Sequence, residues 1–112
     1  MPRNNSLELG ELTDTMYYIL LALMEPKHGY LIMKFIETLT DGKFCIGPAS
    51  LYTIIKKLLA AQLIMASDKE DDIKKTYIIT EEGMQLLRDE VKRRKNMVSH
   101  AEIIFMKRGV NL

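Results

Sequence analysis

Leucine and isoleucine recur between residues 51 and 59 at the spacing of one face of an α-helix. Positions i, i+3, i+4, i+7 and i+8 are filled by Leu51, Ile54, Ile55, Leu58 and Leu59. This pattern predicts an amphipathic helix, and the preceding Pro48 suits its first turn. The opposite face carries small and polar side chains, namely Ala49, Thr53, Lys56, Lys57 and Ala60. Such a helix must bury its apolar face against other elements of the chain.

Periodicity and turn residues predict the elements around this helix. A first helix begins near Thr13 or Asp14, runs to residue 24 and ends before Pro26, because proline cannot continue the hydrogen-bond ladder. A second helix covers residues 30–39, two short strands cover 63–67 and 76–80, and a last helix runs from the Thr80 cap to about Lys107. The chain of 112 residues is long enough for one domain.

Three helices followed by a β-hairpin form a winged helix-turn-helix. We therefore expect a mainly α fold with a small β-hairpin and a long C-terminal dimerisation helix. Residues 1–80 are expected to form the winged helix-turn-helix DNA-binding region, and residues 81–112 the dimerisation helix, within one compact domain.

The last helix has apolar residues at heptad-like spacing. Met84, Val91, Val98 and Phe105 are seven residues apart, and Leu87 and Ala101 occupy a second position that Arg94 interrupts. The helix continues far beyond what a small core can cover, so a second copy of the chain is the simplest partner. The alternative is a helix packed only on its own domain. The residues expected at the dimer interface are Met16, Ile19, Met84, Leu87, Val91, Val98, Ala101 and Phe105.

The distribution of charge indicates nucleic acid more clearly than the net charge of +1. Between residues 43 and 57 there are three lysines and no acid. We expect Ser50, Tyr52 and Thr53 to read base edges. The lysines expected to hold phosphates are Lys56, Lys57, Lys74 and Lys75. One alternative is that this helix face is merely solvated. The other is a winged helix that binds only protein, and the low net charge and the acids at 70–72 favour this second alternative.

Catalysis and metal binding have little support in the sequence. The two histidines, His28 and His100, are far apart, and Cys45 has no CxxC partner. No phosphate-cradling glycine loop or HExxH motif is present. We expect no enzyme, no cofactor and no metal. No apolar run approaches the length of a membrane span, and a single cysteine suits a reducing compartment, so we expect a cytoplasmic protein.

Three segments, YILLALMEPKHGY at 18–30, PASLYTIIKKLLAAQLI at 48–64 and KTYIITEEG at 75–83, together resemble the PadR family of bacterial transcriptional regulators. The subgroup with one long C-terminal helix fits best. The resemblance implies a homodimeric repressor that binds a palindromic operator and is released by a small molecule, often aromatic. The DNA-facing positions would be Tyr30, Ala49, Ser50, Tyr52, Thr53, Lys56 and Lys57, with Tyr30 contacting the DNA backbone.

The chain departs from the family pattern at two places. Gln62 stands where the family usually has glycine, which predicts a slightly different turn after the third helix. Glu70, Asp71 and Asp72 replace a wing tip that is usually rich in glycine and arginine, which weakens the expected wing contacts with DNA. A small-molecule effector is expected at the dimer interface, where apolar surface from two chains can leave a cavity. The candidate lining residues are Tyr17, Tyr18, Met97 and Phe105.

Overall fold

The computed structural model describes residues 11–67 and 75–112. The elements are α1 (Asp14–Ala22), α2 (Gly29–Leu39), α3 (Pro48–Ala60), β1 (Ile64–Ala66), β2 (Tyr77–Ile79) and α4 (Glu81–Arg108). The predicted fold class is confirmed: in the described part of the chain, three helices and an antiparallel hairpin precede a fourth, long C-terminal helix. We call α1, α2, α3 and the hairpin the winged unit.

The core lies between the first three helices and is closed by the hairpin. Ile19, Leu20, Ile32, Leu51 and Leu58 have no exposed surface, so each helix contributes its apolar face. The predicted stripe of α3 is buried at residues 51, 55 and 58, while its last member, residue 59, remains 36% exposed. Burial of these aliphatic side chains supplies the main driving force for the fold, about 1.5–3 kcal/mol for each fully buried side chain.

Side-chain caps begin the first and last helices where the sequence predicted them. The hydroxyl of Thr13 accepts a hydrogen bond from the Met16 amide at 3.1 Å, and that of Thr80 accepts one from the Gly83 amide at 3.0 Å. Each cap satisfies an amide that has no partner inside its helix. The Thr80 hydroxyl also donates to the carbonyl of Gln62 at 2.8 Å, which ties the start of α4 to the end of α3.

Helix α1 ends at Ala22, two residues earlier than predicted. The carbonyl of Leu23 accepts a hydrogen bond from the amide of Ile79 at 2.9 Å, so the hairpin takes over a group that a longer helix would use. Lys27 then pairs with Tyr77 through both backbone groups, at 3.2 and 3.0 Å. Tyr77 is thereby bracketed by Lys27 on one side and by its β1 partner Ala66 on the other.

The turn after α3 contains a non-glycine residue in the left-handed region. Gln62 has φ of 62°, and its amide donates to the carbonyl of Leu59 at 3.0 Å. Glycine adopts this conformation without strain, whereas glutamine is held in it at a cost. After this turn the Leu63 amide donates to the carbonyl of Leu58, and the Leu63 carbonyl accepts from the amide of Thr80, both at 3.0 Å.

Helix α4 extends well beyond the winged unit. It has 28 residues, which corresponds to about 42 Å. Every residue from Lys95 to the end of the chain is exposed. We call residues 95–108 the distal half of α4. It ends at Gly109, whose φ of 70° suits the left-handed cap that terminates many helices.

Candidate nucleic-acid interface

Helix α3 presents one continuous exposed face. Ala49, Ser50, Thr53, Lys56 and Lys57 are all exposed, as the sequence pattern predicts. The first turn contains no acid, and the capping position is a glycine without a side chain. The amino end of α3 is therefore open and carries the positive end of the helix dipole.

Two side chains at the start of this face differ in their hydrogen-bonding capacity. The hydroxyl of Thr53 donates to the carbonyl of Ala49 at 3.0 Å. Its proton is thus used inside the helix, which leaves its lone pairs and its methyl group facing outward. The Ser50 hydroxyl makes no hydrogen bond to another described residue, so it can both donate and accept. These are the groups that a base edge or a thymine methyl can meet.

Tyr52 occupies a more constrained position than its neighbours on α3. Its hydroxyl lies directly against the Cα of Gly29, where a side chain at position 29 would overlap with it. Burial, together with the proximity of Tyr52, raises the pKa of the Tyr77 phenol. Tyr52 is nevertheless 45% exposed. Its ring therefore joins α3 to the start of α2 and to β2 while leaving one side open.

The amino end of α2 lies at this same junction. His28 occupies the capping position and makes no side-chain hydrogen bond with the first turn. The first amides of a helix have no partner inside it, so they are available to an anion such as a phosphate. Tyr30, in the first turn, is 60% exposed. The neighbouring Lys27 has a different role, because its ammonium group bonds to the Ala22 carbonyl at 2.7 Å and lies 4.6 Å from the centre of the Phe35 ring.

The wing is described only at its base. Lys75 is exposed at the start of the returning strand. Lys74 and the acids at 70–72 lie outside the described residues. At the base, the amide of Ser67 donates to the carbonyl of Thr76 at 2.9 Å, so the hairpin continues one pair beyond the strands.

The residues predicted for the dimer interface fall into two groups. Met16, Ile19 and Leu87 are 6%, 0% and 4% exposed within the single chain, so all three already pack in its own core. They face the core because α1 and the first turns of α4 pack on each other. The exposed group contains Val98, Ala101 and Phe105, while Met84 and Val91 are partly buried. These last five positions continue along one face of α4, which we call the seam.

Arg94, which interrupts the apolar spacing, links α4 to α1. Its Nη1 lies 2.9 Å from Oδ1 of Asp14, and its Nη2 donates to the carbonyl of Leu12 at 3.0 Å. Its guanidinium carbon is 4.3 Å from the centre of the Tyr17 ring. The sequence pattern gave no signal for this role, because an arginine in an apolar seam is equally compatible with a solvated position.

Glu90 supplies the buried anion of the same cluster. It has no exposed surface, and its Oε2 accepts from Nε of Arg94 at 2.6 Å. Arg93 donates to both of its oxygens, at 3.0 and 2.7 Å. These hydrogen bonds lower the pKa of the Glu90 carboxyl, and those from Arg93 have the largest effect. A buried carboxylate paired in this way remains charged.

The predicted effector residues do not come together in the single chain. A cavity of about 420 Å³ is bounded by α1, the end of α2, the following loop and α4. Of the four candidates, only Tyr18 lines it; the other lining residues are Asp14, Leu39, Thr40, Lys43, Phe44 and Arg94. Phe105 lines a separate hollow at the end of α4. Tyr17 packs edge-on against Tyr18, and Met97 is 54% exposed.

Within residues 11–67 and 75–112, no group of three histidine, cysteine or acidic side chains is arranged to hold a metal ion. In the same part of the chain, no helix combines the length and the apolar character needed to cross a membrane.

Comparison with solved structures shows that this arrangement is shared. A transcriptional regulator from Clostridium thermocellum is similar with a TM-score of 0.67 and 21% identity, over 88% of this chain and 96% of that one. A PadR-like transcription factor from Bacteroides fragilis has a TM-score of 0.67 and 21% identity, over 80% and 88% of the two chains. A PadR family regulator from Eggerthella lenta is 29% identical, with a TM-score of 0.59 over 86% and 80%.

Comparison by sequence identifies the family. No curated protein matches the chain. The profile of the transcriptional regulator PadR-like family matches residues 19–89, which is more than half of the chain and extends from α1 into α4. The protein with the exposed α3 face and the long α4 described above therefore belongs to the PadR-like family of transcriptional regulators.

Proposed function

We propose that the protein is a homodimeric repressor that binds a palindromic DNA operator through α3. The observation that carries this proposal is the exposed, acid-free face of α3, which combines small side chains near its start with two lysines further along. Membership of a family of transcriptional regulators supports the same reading.

The side chains of α3 divide into two roles. Ser50 and Thr53 lie near the amino end and offer hydroxyl groups to base edges in the major groove. Lys56 and Lys57 are one turn further along and hold phosphates. Tyr30 and the open amino end of α2 add a second phosphate contact. Tyr52 supports this surface because its hydroxyl packs against Gly29 and holds α3 in place. The exposed edge of its ring forms part of the same surface.

The seam of α4 is the surface for the second copy. Its proximal residues, Met84 and Val91, are partly buried, whereas Val98 and Phe105 on the same face are 55% and 37% exposed. A second copy of the chain, related by a two-fold axis along this face, would cover both residues. Two α3 helices related by that axis read half-sites about 34–36 Å apart, or a multiple of that distance.

Binding to the DNA upstream of the protein's own gene tests the proposal. Fluorescence polarisation with this duplex and with a scrambled duplex, at several salt concentrations, gives both the preference and the salt slope. We expect a saturable preference for the upstream duplex and a logarithm of affinity that falls linearly with the logarithm of salt. Absence of binding to either duplex at low salt contradicts DNA binding and favours a winged helix that contacts only protein.

The oligomeric state is tested separately by analytical ultracentrifugation. The proposal requires a dimer at the concentrations at which DNA binds. If the protein is a monomer and still prefers the upstream duplex, the role of α3 in DNA binding stands. The proposal of a symmetric operator bound by a dimer is then refuted.

A small aromatic effector that releases the DNA is the last part of the proposal. The cavity beside Tyr18 supports it, because the Tyr18 and Phe44 rings, with centroids 4.8 Å apart, form an aromatic wall and 420 Å³ falls within the usual range for ligand sites. The cavity also touches the loop that leads to α3. A thermal-shift screen with aromatic acids and amines tests this part. A compound that raises the melting temperature and weakens DNA binding supports it, and a screen without such a compound counts against it.

A further inference from the structure

Within the described residues, Arg94 makes polar contacts that join α4 to α1 and to the residues just before it. From Lys95 onward every side chain is exposed. At Arg94 itself three contacts reach α1 and its preceding residues: the carboxylate of Asp14, the carbonyl of Leu12 and the ring of Tyr17. These contacts therefore lie at the point where the exposed distal half of α4 begins.

The cluster around Arg94 is anchored from the α4 side by Glu90. The buried Glu90 carboxylate orients the guanidinium through Nε, at 2.6 Å, so that its two terminal nitrogens face α1. A planar guanidinium held at three edges resists rotation, which a lysine ammonium in the same place would not. Glu90 also keeps the two hydrogen bonds from Arg93, so loss of Arg94 does not leave it as an unpaired buried charge.

Because the distal half of α4 is long, a small change of its angle at Arg94 displaces the far end of the helix by several ångströms. Fourteen residues follow Arg94 in α4, and at about 1.5 Å each they span about 21 Å. A rotation of about 10° at Arg94 moves the far end of the helix by about 4 Å on this length. That displacement is close to the spacing of one base pair, about 3.4 Å.

We propose that Arg94 is a positioning residue that fixes the angle between the winged unit and the distal half of α4, and thereby the half-site spacing that the dimer accepts. The proposal rests on the dimeric DNA-binding function proposed above. It identifies Asp14, Tyr17 and the Leu12 carbonyl as the α1 side of the joint.

The single cysteine provides a direct measurement of this angle. Cys45 is exposed and lies two residues before Gly47, which caps α3. A spin label on Cys45 in the full chain gives one distance between the two copies by pulsed dipolar spectroscopy, and this distance follows the separation of the two α3 helices. The variant is Arg94→Met, which keeps an unbranched side chain and removes the hydrogen bonds. The matched control is Lys95→Met, which removes one charge from the exposed side of the same helix.

We expect a narrow distance distribution for the wild type and for Lys95→Met, and a distribution broadened or shifted by several ångströms for Arg94→Met. Among palindromes whose half-sites are moved apart by one or two base pairs, we expect the wild type to prefer one spacing and Arg94→Met to lose that preference. Arg94→Lys is expected to restore both properties only in part, because an ammonium group cannot hold the three edges at once.

The outcomes separate this inference from the function on which it rests. A wild type without dipolar coupling refutes the dimer, and with it the role of Arg94. A wild type with a narrow distribution that Arg94→Met leaves unchanged refutes the role of Arg94 alone. If circular dichroism shows that Arg94→Met does not fold, Asp14→Asn removes one exposed contact of the joint. We then expect a smaller broadening, and an unchanged distribution overturns the proposal.

Discussion

Replacing Gln62 by glycine is expected to stabilise the protein. The residue has φ of 62°, and this conformation costs a non-glycine residue about 1–2 kcal/mol. Glycine removes that cost but loses about 0.5–1 kcal/mol through the larger entropy of its unfolded state. The side chain of Gln62 is exposed, and its backbone groups make the hydrogen bonds to Leu59 and Thr80, which glycine retains. The expected net gain is about 0.5–1 kcal/mol.

Thermal unfolding followed by circular dichroism, at one fixed protein concentration, measures this gain. For a domain of this size it corresponds to an increase in Tm of about 2–8 °C. Gln62→Ala is the matched control, because alanine shortens the side chain and keeps the cost of the left-handed backbone. Asp41→Gly is a second control with φ of 57°, and it should gain less because aspartate tolerates this region better. A Tm for Gln62→Gly at or below that of Gln62→Ala would refute the strain argument.

Three further predictions concern the interface, the packing of α4 and the buried carboxylate. Lys56→Ala is expected to weaken binding to all duplexes alike and to reduce the salt slope by about one, whereas Lys107→Ala, at the far end of α4, should not; polarisation titrations distinguish the two. Gly83→Ala is expected to destabilise the fold by about 1–3 kcal/mol in urea unfolding, because the new Cβ overlaps with the carbonyl oxygen of Leu63, and an unchanged midpoint would contradict the close approach. Glu90→Gln is expected to make the stability of the fold depend less on pH in the acid range. The pKa of Glu90 is lowered by its arginine partners, so its stabilisation is present above the unfolded-state pKa and is lost as the pH falls through the folded-state pKa; unfolding midpoints between about pH 5 and pH 3 measure it.

Local sequence determined the elements and their order. The apolar stripe of α3, the threonine caps at 13 and 80, and the glycine after α4 are all recovered in the structure. Each depends on interactions between residues within four positions of one another, which periodicity and capping rules describe directly. The exposed face of α3 could be predicted for the same reason, since it is the opposite face of the stripe.

The boundaries and the turn that depend on distant partners could not be predicted in this way. Helix α1 stops at Ala22 because Ile79, more than fifty residues further along the chain, bonds to the carbonyl of Leu23. Gln62 keeps a conformation that its residue type disfavours, and the residue after it, Leu63, accepts a hydrogen bond from the distant Thr80 amide. In both cases a long-range hydrogen bond accompanies the departure from the local preference.

The sequence by itself determined a helical chain with a hairpin, an exposed basic face on α3 and an apolar seam along α4. Only the tertiary structure decided which of the apolar residues expected at a dimer interface belong to the core, since Leu87 is buried while Phe105 on the same helix is exposed. It also decided that Arg94 joins two helices rather than facing solvent. Heptad spacing predicts on which side of a helix a residue lies, but it does not predict how far along that helix the packing against other helices continues. That point depends on how far α1 extends beside α4, which no local pattern contains.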